Sequence, residues 1–194
     1  GESSRVSRFA EGACLGRHGA YRGPSESSEN LNSSIMRVLG LMSGTSADGV
    51  DAALAQFKGR PDAPDWALLS TASVPYPAEL KERLVHVAQG EANSASHLLE
   101  MSVAVTEMQA KAAQLCDPQR SASLVGCHGQ TIWHAPPPPQ NDRSDGVLRR
   151  GASWQMLQAP LLAHLVGHPV VHDFRAADLV LGGQGAPLVP MADA

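Results

Sequence analysis

Short apolar runs punctuated by turn residues open the patterned part of the chain. The run beginning at Met36 and the run Val50–Phe57 flank a Gly, Ser, Thr and Asp cluster, which predicts a hairpin with strands over 37–42 and 50–57. A polar turn over Gly59–Asp65 leads to a third strand, Trp66–Val74, ended by Pro75-Tyr76-Pro77. Pro77 suits a first helical turn, and Leu80, Leu84, Val87 and Ala88 share one face of a helix that stops at Gly90. Asn93 or Ser94 caps the next helix, whose stripe Leu98, Met101, Val105, Met108, Ala112 and Leu115 predicts a buried face. Its methionines are core packing. Ser123–His128 reads as a buried parallel strand ending at the His-Gly-Gln-Thr loop, and Pro136–Gly151 as a surface excursion. A strand around Trp154, a helix over Pro160–Val166 and a strand over Pro169–Asp173 complete the pattern.

Residues 1–35 lack any such period. They are rich in Ser, Gly, Arg and Asn and hold no signal-peptide apolar core, so they read as a disordered tag, a fusion remnant or a mis-called start ahead of Met36. The 194 residues leave room for one domain or slightly more, and 43% hydrophobic content supports a packed core. A net charge of −4 and 4% aromatics argue against nucleic-acid binding. No apolar run approaches the roughly 18 residues of a membrane span. Cys14, Cys116 and Cys127 are unpatterned, which suits a reducing cytoplasm. His164, His168 and His172 recur at four-residue spacing, but Pro169 breaks their shared helical face, which argues against a metal site.

The hairpin tip carries chemistry of its own. Gly44 and Gly49 let backbone N–H groups approach an anion, and Ser43, Thr45 and Ser46 add hydroxyls. Asp48 and Asp51 are suited to hydrated Mg²⁺ beside phosphates. The same residue types also favour a plain tight turn. No lysine lies between Met36 and Phe57, so this is not a P-loop, and the Gly-x-Ser-x-Gly nucleophile elbow is missed by one position.

Leu41-Met-Ser-Gly-Thr-Ser-Ala-Asp-Gly-Val-Asp51, Gly126-Cys-His-Gly-Gln-Thr-Ile132, Asp173-Phe-Arg175 and Gly182-Gly-Gln-Gly-Ala-Pro-Leu-Val-Pro190 follow one another along the chain. Together they resemble the N-terminal part of the anhydro-N-acetylmuramic acid kinases, enzymes of cell-wall recycling and amino-sugar catabolism. The resemblance implies an α/β, ribonuclease-H-like lobe of the sugar kinase/Hsp70/actin superfamily: a mixed sheet with three antiparallel strands, then βα units. In such sheets ligands sit beyond the carboxyl ends of strands, where the pattern puts His128 and Asp173. It implies cytoplasmic location, ATP and Mg²⁺ as cofactors, a small anhydrosugar substrate and a homodimer.

In that family water opens the 1,6-anhydro bridge while the released O6 takes the γ-phosphate of ATP, giving N-acetylmuramic acid 6-phosphate. The matching ATP-binding segment is Gly44, Thr45, Ser46, Ala47, Asp48, Gly49, Val50 and Asp51, with Asp48 ordering Mg²⁺ through water. His128, Gln130 and Thr131 are assigned to the sugar, and Arg175 to its lactyl carboxylate; an ion pair of Arg175 with Asp173 or Asp178 is the structural alternative. The family's base is an aspartate in Phe-Asp-Cys-Gly-Pro-Gly-Asn. These 194 residues lack that motif, which the resemblance puts downstream of Ala194, so no catalytic residue is assigned in this chain. The expectation is a truncated kinase lobe over 36–194, inactive alone, with a non-catalytic sugar- or nucleotide-binding lobe as the alternative. A serine hydrolase using Ser43, His128 and Asp173 is a third, weaker reading. Gln155-Met-Leu-Gln-Ala-Pro160 departs from the family's Gln-Ile-Gly-x-Pro, which bears on pocket shape and substrate preference.

Overall fold

The computed structural model describes residues 35–60, 63–137 and 151–187. The expectations for residues 1–34, most of the proline-rich excursion and residues 188–190 of the second glycine-rich loop lie outside the described residues. So does Ala194, and with it the expectation that the catalytic aspartate falls downstream of that residue. The described elements are β1 (Met36–Ser43), β2 (Gly49–Arg60), β3 (Ala63–Pro75), α1 (Ala78–Ala88), α2 (Ala95–Cys116), β4 (Leu124–Ala135), β5 (Ala152–Met156), α3 (Ala159–Val166), β6 (Val170–His172) and α4 (Ala176–Val180). The sheet runs β3-β2-β1-β4-β5, with β6 also paired to β4.

Strands β1 to β3 form the antiparallel meander, in register from Met36↔Phe57 to Met42↔Asp51 and from Gly49↔Pro75 outward. The first half of β4 lies parallel to both β1 and β6, through Leu41↔Cys127 and Cys127↔His172. This is the mixed α/β lobe expected from the superfamily resemblance.

Alternation decides the two faces. Leu39 and Leu41 of β1, Val50, Ala52 and Leu54 of β2, and Val125 and Cys127 of β4 join Leu84, Met101 and Val105 of the helices in one buried cluster. At about 1.5–3 kcal/mol for each large side chain buried, this cluster anchors the hairpin root. The alternate positions, among them Gly40, Ala53, Gly126 and His128, line a hollow of about 850 Å³ on the other face. Small residues make the hollow.

Four sequence expectations need correction. Strand β4 does not end at His128; it runs on through Gly-Gln-Thr to Ala135 because β5 supplies an antiparallel partner there, pairing Gln130↔Met156 and Trp133↔Trp154. Gly129 makes that continuation fit, with φ 75 and only 3.1 Å between an added Cβ and either the Gln155 Cβ or the Met156 carbonyl oxygen.

The stripe on α2 is rotated. Leu115 is exposed, and Cys116, Gln109, Thr106 and Ser102 are buried instead. Two of the polar members are satisfied: the Thr106 hydroxyl donates to the Ser102 carbonyl at 2.7 Å and accepts from the Gln158 backbone N–H at 2.9 Å, while Gln158 Nε2 donates to Ser102 Oγ at 3.1 Å; Gln109 Oε1 is buried without a partner. The departing segment at 155–160 therefore clips α3 to α2. Finally, β3 is longer than expected at both ends, and α4 follows the Asp-Phe-Arg motif where no helix was predicted.

Candidate active site

The hairpin tip is held from below. Ser43 is buried, and its hydroxyl donates to the Gly49 carbonyl at 2.9 Å; that leaves the Tyr76 hydroxyl, 2.7 Å away, to donate to Ser43 Oγ. Burial pushes the Tyr76 phenol up to about 12, against the opposing effect of its bond to Ser43, so it stays protonated. Ser43 is thus an internal tie and not a free donor to phosphate, which corrects its expected role. The Tyr76 backbone N–H donates to the Asp48 carbonyl at 3.0 Å, fastening the far side of the turn.

Within the turn, Ala47 is buried, adopts φ 51 and donates its N–H to the Gly44 carbonyl at 3.2 Å. Ala47 and Val50 therefore support the loop from the core side. Gly44, Thr45, Ser46 and Asp48 are exposed at its tip. Asp51 points elsewhere, into the 850 Å³ hollow, and does not join Asp48 in a carboxylate pair.

Asp48 contacts the ammonium of Lys81, which arrives from the first turns of α1. Hydrogen bonds from Lys81 and Ser46, with the charge of Lys81, hold the Asp48 carboxyl below its ordinary value. Sequence reasoning missed Lys81 because it lies 33 residues away and carries no motif.

The second group of residues gathers around β4. His128 is buried; its Nδ1 lies 3.0 Å from the Gly129 carbonyl and its Nε2 accepts from Arg175 Nη2 at 3.1 Å. These contacts require the Nδ1–H tautomer. Burial lowers its pKa, the charge of Arg175 adds to this, and the Gly129 carbonyl opposes it, so the imidazole is neutral.

Arg175 also donates from Nη1 to the Gly185 carbonyl at 2.5 Å, while Asp178 Oδ2 accepts the Gly185 N–H at 2.7 Å. Among the described residues Arg175 pairs with neither Asp173 nor Asp178, so the ion pair given as the structural alternative does not form. Its Nε, the Thr131 hydroxyl and Gln130 Oε1 are buried without a hydrogen-bond partner. Each is a buried polar group with a hydrogen-bonding position open to water or to a ligand.

Gln130 is not directed to solvent. Its Nε2 donates to the Gly44 carbonyl at 3.0 Å and the Thr131 carbonyl at 3.3 Å, linking β4 to the hairpin tip. A smaller cavity of about 190 Å³ opens beside His128, bounded by Trp154, Gln155, His172 and Asp173. Asp173 directly follows β6, as expected for a strand-end site, and takes φ 59.

The geometry disposes of two other readings. Ser43 and His128 share no hydrogen bond and each is already engaged, so no hydrolase pair forms. Among the described residues no group of three His, Cys, Asp or Glu side chains could hold a metal, so His164, His168 and His172 do not assemble. No helix among the described residues is long and apolar enough to cross a membrane.

Residues 36–194 match the family model of anhydro-N-acetylmuramic acid kinase. Over 159 residues the chain is 76% identical to an anhydro-N-acetylmuramic acid kinase of Synechococcus sp. (strain WH7803), covering 82% of this chain and 41% of that protein. Relatives of the same name from Parasynechococcus marenigrum (strain WH8102) and Prochlorococcus marinus (strain MIT 9313) are 64% and 60% identical, each over 82% of this chain and 40% of the relative. The chain thus spans about two fifths of the length of these relatives.

Proposed function

Because the chain belongs to the anhydro-N-acetylmuramic acid kinase family, we propose that it forms the phosphate- and sugar-contacting part of an ATP-dependent kinase. That kinase opens 1,6-anhydro-N-acetylmuramic acid and phosphorylates O6. In balanced form, water oxygen bonds to C1 as the C1–O6 bond breaks, O6 takes the γ-phosphoryl group, ADP leaves, and the water proton passes to a base. Under this reading the base is the aspartate of a segment downstream of Ala194, and no side chain among the 194 residues takes that role. The reading places the reaction in the cytoplasm, in cell-wall recycling, in a homodimer that acts on small molecules and not on nucleic acid.

One observation carries it: the Gln130 amide joins the exposed Gly44-Thr45-Ser46 tip to the strand that holds His128. Under this reading a phosphate cradle and a polar pocket stand as neighbours, as phosphoryl transfer to a sugar requires. The tip offers backbone N–H groups and hydroxyls to the nucleotide phosphates. The exposed carboxylate of Asp48, kept ionised by Lys81, suits a cation held through water, whose chemistry would be to neutralise charge on the transferring phosphoryl group. Neutral His128 and Arg175 address the sugar, with the guanidinium Nε still available for a carboxylate.

Isothermal titration tests this directly. Magnesium–ATP and the anhydrosugar should each bind, and Gly44→Val with Ser46→Ala should weaken only the nucleotide. Nucleotide binding unchanged in that variant would refute the assignment. These 194 residues do not contain the Phe-Asp-Cys-Gly-Pro-Gly-Asn motif, and under this reading a coupled ADP-release assay on them should show no turnover while the titration shows binding.

A further inference from the structure

Helices α1, α2 and α3 share one buried cluster with the core-facing strand positions, so all three stand on the same face of the sheet. The short α4 packs on β5. Strand pairing fixes what the other face carries, because partners directly opposite one another point to the same side. Thr71, Ala53, Gly40, Gly126 and Val171 are successive partners across β3, β2, β1, β4 and β6. The middle of that row is nearly bare backbone.

Two further rows lie on the same face, one of Leu68, Ala55, Val38 and Leu124, the other of Trp66, Phe57 and Met36. Phe174 joins them, its ring 3.6 Å from where a Cβ on Gly126 would stand. Met36, Met42, Trp66, Leu68, Val171 and Phe174 are all exposed there, Trp66 at 67% and Leu68 at 56%. Five strands at about 4.8 Å spacing make this face roughly 19 Å wide. An apolar surface of that breadth, with Asp51 and Ser73 as its polar rim, marks a place where something docks.

Two observations bear on what covers it. The central strands β1, β4 and β6 are parallel, and parallel strands are covered by helices on both faces within one protein. The stretch matched in the Synechococcus sp. (strain WH7803) relative is 41% of that protein, so about three fifths of it lies outside the match. The floor of Gly40, Ala53 and Gly126 offers no large side chains, so those that fill the 850 Å³ hollow to interior density come from the covering element.

We propose that this face docks an amphipathic α-helix from the part of the full-length protein downstream of Ala194, with large apolar side chains seated over Gly40, Ala53 and Gly126. The docking draws on family membership and on none of the ligand assignments above.

The test is thiol alkylation, read site by site by mass spectrometry. Met42→Cys, Leu68→Cys and Leu115→Cys are each made in the 194-residue chain and in that chain continued by the Synechococcus sequence that follows the match. All three positions are exposed, so the substitutions leave the core intact. In the continued chain alkylation should slow about tenfold or more at positions 42 and 68, and stay within about twofold at position 115 on α2. Adding Ala53→Arg, which fills the hollow, should restore the fast rates at 42 and 68. If the continued chain does not fold, the two polypeptides are co-expressed and the rates are read on their complex; failure to form one would overturn the docking. So would unchanged rates at 42 and 68, equal slowing at all three positions, or protection that survives Ala53→Arg. Slow alkylation already in the 194-residue chain would also overturn it: relief on dilution would assign the face to a second copy, and relief on removing residues 1–35 would assign it to that segment.

Discussion

Replacing Gly49 by alanine should unfasten the hairpin tip. A Cβ there would lie 2.4 Å from the Val74 carbonyl oxygen, 2.7 Å from Pro75 Cα and 3.0 Å from the Val74 carbonyl carbon. All three are backbone atoms of the partner strand, so no rotamer change relieves the contact. Reaching ordinary contact near 3.4 Å moves the end of β3 by roughly 1 Å. That movement strains the Tyr76 N–H bond to Asp48 and the Tyr76–Ser43 bond, which hold the turn.

Overpacking costs about 1–3 kcal/mol and each weakened hydrogen bond about 1 kcal/mol more, offset by about 0.4–1 kcal/mol from a less flexible unfolded chain. The net loss is about 2–4.6 kcal/mol, a fall in Tm of about 4–18 °C for a chain of this size. Gly40→Ala is the internal control. Its nearest atom would be the Ala53 carbonyl oxygen at 3.8 Å, so it should melt at or slightly above the parent. Calorimetry on the two variants measures the difference. A Gly49→Ala melting point within about 1 °C of Gly40→Ala would refute the packing argument.

Other expectations follow from the same contacts. Since the folded pKa of His128 lies below 6.5, the unfolded chain binds the extra proton first, so stability should fall as pH drops below about 6.5 and level off once pH passes the folded value. His128→Gln should flatten the melting-point slope in that window; an unchanged slope would count against a buried neutral imidazole. Asp48 and Asp117 act in a separate, lower window. Against desolvation by burial, hydrogen bonds from the Ser121 hydroxyl at 3.0 Å and the Ala122 N–H at 2.8 Å hold the Asp117 carboxyl below its ordinary value. Both depressed pKa values give stability that is present above about 3.8 and lost as pH falls through the folded values. Tyr76→Phe should cost about 1 kcal/mol in denaturant unfolding, because Ser43 keeps its bond to Gly49. Lys81→Met should raise the Asp48 carboxyl pKa toward 3.8 in an NMR titration while barely moving the melting point, since both partners are exposed.

Hairpin, meander, both long helices and the strand-end position of Asp173 were legible because each is written in a local period or a turn signal. What was not legible depended on partners distant in sequence. The continuation of β4 requires β5, and the rotation of α2 requires Gln158, which satisfies Ser102 and Thr106 so that they can be buried in place of Leu115. The site divides in the same way. Motif residues located the tip and the His128 pocket, but Ser43 and Gln130 proved to be internal ties because their neighbours, Tyr76 and Gly44, come from other elements. Lys81, which pairs with Asp48 from 33 residues away, had no motif to announce it.

The amide of Gln130 has a thermodynamic consequence. It donates to the carbonyl of Gly44, whose own position is fixed by the Ala47 turn. Under the kinase reading, whatever a phosphate does to that carbonyl is felt by the strand that carries His128, and the reverse. Binding free energies at the two sites are then linked reciprocally: if nucleotide alters sugar affinity by some factor, sugar alters nucleotide affinity by the same factor. One side-chain amide would make the two halves of the reaction report on each other before any bond is broken.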